Sequence, residues 1–184
     1  MPNLIQRYRH YRFINEFLKS LGFRRVSVWS YKKDSAHRYS SVTREGYIGL
    51  GAGAGSDTAA GFYLNTFSVQ EYIKRCLCKQ FPTALHLEFN EVMRKYFWLY
   101  WRMYDACISK AGLIEKFGNN DQKIKRVFGS LKLLRFTEED SEHIWLNDKG
   151  SFWVHLFQNY FALDYINKVW TAARKEPWPA KIVL

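Results

Sequence analysis

Apolar residues recur at spacings of three and four from the start of the chain: Leu4, Tyr8, Tyr11, Ile14, Leu18 and Leu21, with Arg7, Arg12 and Lys19 among the polar positions. That is the pattern of an amphipathic helix, and Gly22 should end it. Residues 23–29 then alternate, Val26 and Val28 against Arg25 and Ser27, which predicts a strand. Helix, glycine and strand are half of a βαβ unit, whose usual setting is a parallel sheet covered by helices. Nothing upstream supplies a neighbouring strand, so the chain is expected to begin in mid-fold. An open edge at residues 23–29 would then be available for self-association or for docking another chain. Residues 31–44 are polar and predict a connecting loop whose Lys32, Lys33, Arg38 and Arg44 are solvated.

A short apolar strand is predicted at residues 61–66. Ser68 and Glu71 then stand in the S-x-x-E spacing of a capping box, with Phe67 placed to staple onto Tyr72. The helix they open has Val69, Tyr72, Ile73, Cys76 and Leu77 on its apolar side and should stop before Pro82. A domain boundary is expected at residues 81–83, dividing the chain into residues 1–81 and 82–184. In the second part Phe89, Val92, Met93, Tyr96, Phe97, Tyr100, Met103, Tyr104 and Cys107 form one broad helical stripe, expected to be core. Shorter helices follow at residues 109–117, ended by Gly118, and through Ile124, Val127, Phe128, Leu131 and Leu134. Residues 134–137 and 143–146 predict a small hairpin around the acidic turn at 139–142. Asn147 should cap a long helix whose apolar face uses Phe152, Leu156, Tyr160, Leu163, Ile166 and Trp170, ended by Pro177-Trp178-Pro179. The fold class is therefore α/β followed by a mainly helical domain, whose helices and hairpin wing resemble a winged-helix module.

Composition narrows the partners. With 184 residues, 47% of them apolar, the chain can bury a core. A formal net charge of +11 attracts anions such as nucleic acid, acidic lipid or a carboxylate-bearing ligand. Cys76, Cys78 and Cys107 are too few and too badly spaced for a disulfide framework or a four-thiolate metal site, which fits a reducing cytoplasm. The five histidines are scattered, and no metal site is visible. Residues 1–13 are too polar for a signal peptide, and no apolar run approaches the roughly 20 residues of a membrane span.

The stretch of strongest local character is YIGLGAGAGS, residues 47–56. Gly49, Gly51 and Ala54 satisfy G-x-G-x-x-[GA], yet SDTAAGFYLN after them reads as turn and strand, not as the helix that would meet a pyrophosphate. A P-loop would need Gly-Lys-Ser/Thr, which is absent. Two readings remain: a tight crossover beneath a packed element, or a loop whose bare backbone approaches a ligand. Two other function classes stand beside it. As a nucleic-acid reader the chain would use Lys123, Lys125, Arg126 and Lys132 along a recognition helix, although the acidic wing turn would repel phosphate. As a non-catalytic haem-binding or scaffold protein it would offer His37, His86 or His155.

The loop with its flanks, SSVTREGYIGLGAGAGS followed by FYLNTFSVQEYI, resembles the C-terminal half of oxygen-independent coproporphyrinogen III oxidase-like radical SAM proteins. FWLYWRMY, LNDKGSFWVHLFQNYFALDYINKVW and KEPWPAKIVL extend the likeness to the end, especially to the branch of anaerobilin-synthase-type haem-utilisation proteins. The resemblance implies a terminal fragment of a partial (β/α) barrel, with its last helix and strand at residues 4–29, then the glycine loop and the helical domain. It implies that Gly51, Ala52, Gly53, Ala54 and Gly55 border the S-adenosylmethionine and substrate cavity, and that the substrate is a tetrapyrrole whose propionates suit a basic protein. Family members often carry His where this chain has Gly55. The complete enzymes hold a [4Fe-4S] cluster on C-x3-C-x2-C, a spacing that Cys76, Cys78 and Cys107 do not reproduce. The resemblance therefore implies no metal ligand here, inactivity of the chain alone, and an N-terminal radical SAM half on the same or a separate chain as partner.

Overall fold

A computed structural model describes residues 2–33, 46–180 and 182. Its elements, in chain order, are α1 (Leu4–Ser20), β1 (Phe23–Arg25), β2 (Tyr31–Lys33), β3 (Gly55–Asp57), β4 (Gly61–Asn65), α2 (Val69–Leu77) and β5 (Thr83–Glu88). They continue as α3 (Glu91–Tyr104), β6 (Cys107–Ser109), α4 (Lys110–Phe117), α5 (Gln122–Leu133), β7 (Thr137–Glu139), β8 (His143–Leu146) and α6 (Asp148–Lys175). The class is mixed α/β, with small sheets that are antiparallel throughout the described residues. Two compact units form: residues 1–43 with 95–158, and residues 44–94 with 159–184. The helices α3 and α6 contribute residues to both.

In the first unit, Asn3 opens α1 with a reciprocal capping box to Gln6, and Gly22, at φ 77°, follows its last turn. The expected strand at 23–29 is shorter than its alternation suggests. Only Phe23–Arg25 pairs, and it pairs antiparallel with β2, inside the stretch expected to be loop. Ser27 Oγ accepts from Ser30 N–H where the chain turns back, and among the described residues the strand pairs antiparallel only. Val28 leaves the sheet to become fully buried, its N–H donating to Tyr104 C=O. Around Val28, Tyr11 and Phe152 a small aromatic core collects Tyr8, Tyr104 and Trp153.

The larger core of this unit contains Leu99, Met103, Ile108, Leu113, Ile124 and Leu146. Ser109 and Asp121 cap α4 and α5, and Gly118, at φ 75°, ends α4. The strands order as β6-β8-β7; β8 matches the strand expected at 143–146, whereas β7 begins three residues later than the expected 134–137 because Leu134 still caps α5. Asn147 Oδ1 accepts from Gly150 N–H and starts α6, while its amide donates to Arg135 C=O.

In the second unit, β3, β4 and β5 form one antiparallel sheet. The residues expected to mark a domain boundary, 81–83, lead straight into β5, where Leu85 and Leu87 alternate with His86 and Glu88. Three apolar stripes are less buried than periodicity implies. On α2 none of the residues is buried, and Val69, Ile73 and Leu77 are exposed. On α3 the helix starts at Glu91 because Asn90 Oδ1 accepts from Met93 N–H, which leaves Phe89 outside, and Cys107 belongs to β6. Leu99 and Met103 are its buried residues, whereas Val92, Met93 and Tyr96 are exposed. On α6 Phe152 is buried as expected, but Tyr160, Leu163 and Trp170 are exposed and the buried positions include Ser151, Gln158, Val169 and Ala173.

Candidate functional site

Residues 46–57 of the second unit form a loop closed at its ends by Tyr47 and Asp57, which exchange both backbone hydrogen bonds at 2.8 and 2.9 Å. Two side chains hold the middle. The Asn65 amide donates to Gly49 C=O at 3.3 Å and to Gly51 C=O at 3.0 Å, and the Tyr72 hydroxyl accepts from Gly51 N–H at 3.0 Å. Gly49 N–H donates to Ser56 Oγ at 3.0 Å, and Gly53 N–H to Thr66 C=O at 2.8 Å. The capping-box expectation is met on one side: Ser68 Oγ accepts from Glu71 N–H, while the Glu71 carboxylate receives the Trp178 indole N–H at 3.4 Å. Arg75 lies over the same indole.

The glycines divide by cause. Gly51 and Gly53 sit at φ 112° and 71°, a region that side-chain-bearing residues rarely adopt. Gly49 and Gly55 are required by space: a Cβ at Gly49 would lie 2.1 Å from Gly55 O, and one at Gly55 2.7 Å from the Phe62 ring. Around Gly51 the space is open, with nothing within 4 Å of such a Cβ. The neighbouring Ile48 and Leu50 side chains are 76% and 86% exposed. The base of the loop is anchored by Arg94, which donates to Asp57 Oδ1 at 2.6 Å and to Thr58 C=O while its guanidinium lies over Phe89. Burial pushes the Tyr47 phenol up, and the Asp57 carboxylate adds to that rise.

All five residues expected to border a cofactor, Gly51, Ala52, Gly53, Ala54 and Gly55, fall on this one braced segment, with Gly55 paired to Leu64 in the β3–β4 ladder. Chemically the segment is neutral. Ser56 carries the polar side chain of residues 48–56, and its hydroxyl is engaged by Gly49. Such a loop can offer shape, backbone dipoles and apolar contact, but no acid, base or nucleophile. Sequence reasoning missed the braces Asn65 and Tyr72. An amide closing the apolar run of β4 was a usable signal for Asn65, since a buried polar group there needs partners.

The remaining candidates are dispersed. His86 stacks on Tyr63 at 5.5 Å and approaches Glu88 at 3.3 Å. His155 stands edge-on to Trp29 and Tyr104, and burial lowers its pKa. His37, Arg38 and Arg44 lie outside the described residues. Cys76 and Cys78 are exposed on and just after α2, and Cys107 is half-buried in β6. Among the described residues no three His, Cys, Asp or Glu gather as metal ligands. Lys132 pairs with Glu139, which also holds Lys110 at 3.0 Å, while Lys123, Lys125 and Arg126 are exposed on α5. No helix of the described residues is long and apolar enough to cross a membrane.

Among solved structures the chain matches coproporphyrinogen III oxidase (HemN) from Escherichia coli, a radical SAM enzyme, with a TM-score of 0.63. It shares that fold. The match covers 84% of this chain and 40% of HemN at 11% identity, so the chain spans less than half the length of that enzyme and the likeness is one of fold. No protein-family model and no curated protein matches.

Proposed function

We propose that this chain is the C-terminal portion of a radical SAM enzyme of porphyrin or haem metabolism, and that its glycine loop forms one wall of the S-adenosylmethionine and substrate cavity. The observation that carries the reading is the likeness of 84% of the chain to the HemN fold. The loop adds to it, being braced from behind and bare at Gly51.

The two groups that the fold implies fare differently. A [4Fe-4S] cluster does not fit these residues, because Cys76 lies on α2, Cys78 caps its end two residues on and Cys107 lies in β6, and among the described residues no three possible ligands gather. S-adenosylmethionine fits the loop as a wall: Gly51, Ala52, Gly53, Ala54 and Gly55 would hold it by backbone approach and small contacts. The cofactor itself would supply the radical chemistry, with the cluster contributed by an N-terminal half. This chain's residues would orient the cofactor. Residues 4–29 would then be the last helix and strand of the partial barrel, and α4, α5 and the β7–β8 hairpin the winged-helix-like part of the helical domain.

Mixing the chain with an N-terminal radical SAM half carrying C-x3-C-x2-C, reconstituting the cluster and assaying S-adenosylmethionine cleavage and tetrapyrrole turnover tests this. Turnover only in the mixture is expected. Absence of cleavage with a spectroscopically intact cluster would contradict it.

A further inference from the structure

We propose that α5 is a recognition helix for double-stranded DNA, a function separate from the glycine loop and from the reading above. Ser109 caps α4, Gly118, at φ 75°, ends it, residues 118–121 turn the chain, and Asp121 caps α5. Two helices joined by a short glycine-containing turn are the helix-turn-helix arrangement, whose second helix enters a major groove. Leu113 of α4 and Ile124 of α5 are buried in the same core, with Phe117, Phe128 and Leu131 packed against it. That fixes which side of α5 faces in and leaves the other open to solvent.

The open side is cationic. The α5 sequence holds four cations and no carboxylate. Lys123, Lys125 and Arg126 are exposed, and among the described residues none of the three pairs with a carboxylate; Lys125 Nζ donates to Asn120 Oδ1 at 3.2 Å. Lys132, expected to serve with them, is taken up by Glu139. That pair also locates the acidic hairpin beside the last turn of α5, away from Lys123 and Arg126, and Glu139 is further answered by Lys110 at 3.0 Å. At the near end the Asp121 carboxylate is turned onto the helix, accepting from Lys123 N–H and Ile124 N–H at 2.8 and 3.0 Å. Repulsion of phosphate therefore falls at the C-terminal end of α5, whereas it is the N-terminal residues of a recognition helix that reach the bases.

Gly129 points the same way. It lies inside α5 without positive φ, and nothing stands within 4 Å of a Cβ added there, so the fold has no steric need of a residue that weakens a helix. Three residues beyond Arg126 and on the same side, it leaves a bare patch where a sugar-phosphate backbone or base edge can come close. At 12 residues α5 is about 18 Å long, and a helix of ordinary diameter fits the major groove of B-form DNA. Single strands call instead for exposed rings on which bases stack, and none of the exposed residues of α5 is aromatic. The deep, narrow major groove of duplex RNA does not admit side chains.

Fluorescence anisotropy of a labelled DNA duplex about 20 base pairs long, titrated with the full chain across a salt series, tests the function. Saturable binding that weakens with salt is expected. Lys123→Gln with Arg126→Gln should weaken it about tenfold or more and flatten its salt slope by about two. Arg7→Gln with Arg9→Gln, an equal charge change at exposed positions of α1, should leave it within about twofold. Gly129→Leu raises helix propensity and should melt no lower than wild type, yet bind about tenfold more weakly because its side chain fills the bare patch. Thermal melts check the folding of every variant, and Gly129→Leu carries the comparison if the α5 double variant fails to fold. No saturable binding at low salt, equal loss in both double variants, full binding by Gly129→Leu, or tighter binding to the single strand than to the duplex would overturn the proposal.

Discussion

Gly49 and Gly129 are both glycines without positive φ, yet their surroundings demand opposite outcomes on substitution. At Gly49 an added methyl would meet the backbone oxygen of Gly55 at 2.1 Å, and neither side can rotate away. Gly49→Ala is expected to destabilise by about 2 kcal/mol or more, the scale of overpacking. At Gly129, inside α5, an added methyl has nothing within 4 Å, so Gly129→Ala should stabilise by about 1 kcal/mol through helix propensity alone. Urea denaturation of the pair checks both signs. Much at this scale was legible in the sequence: Gly22 and Gly118 were expected helix ends and stand at positive φ, because a left-handed residue there is a local requirement. Asn65 was legible only as a buried amide in need of partners and Tyr72 not at all as a brace, since those partners are backbone groups 14 to 21 residues away.

Among the elements, helix starts were the most readable. Ser68 and Asn147, both read as helix starts, accept from Glu71 N–H and Gly150 N–H, a local contact the sequence itself specifies. Asp121 accepts from both Lys123 N–H and Ile124 N–H, so Asp121→Ala should cost about 1 kcal/mol in the same urea experiment. Strand partners were less readable. Residues 23–25 carry a strand pattern, but nothing local states that the partner is 31–33 and antiparallel. The strand β5 was hidden by Pro82 before it, although Leu85 and Leu87 keep a period of two. Apolar stripes on α2, α3 and α6 were visible as stripes, whereas their burial depends on neighbours that periodicity does not name.

At the scale of the whole molecule, one half-buried base, His155, packed against Trp29 and Tyr104, ties the first unit to pH. Burial lowers the His155 pKa below its usual 6.5, and the nearby Arg7 charge lowers it further, against an opposing hydrogen bond with Gln158. The unfolded chain therefore binds the proton more readily, and stability should fall as pH drops below about 6.5, levelling off beneath the folded value. Thermal melts across pH 5 to 8 should show that fall in the wild type and a flatter profile in His155→Gln.

The likeness to the HemN fold and the mixed α/β class were legible because ordered motifs run along most of the chain. The candidate site was legible only as a segment, since a run of glycine and alanine announces space but no chemistry. The most direct measurement is equilibrium binding of S-adenosylmethionine to this chain paired with a cluster-bearing N-terminal half, for wild type and Ala52→Leu. A wild-type assembly that binds, and a variant that folds equally well but binds about tenfold more weakly or not at all, is the predicted result. Equal binding by the two would contradict the placement of the loop in that wall.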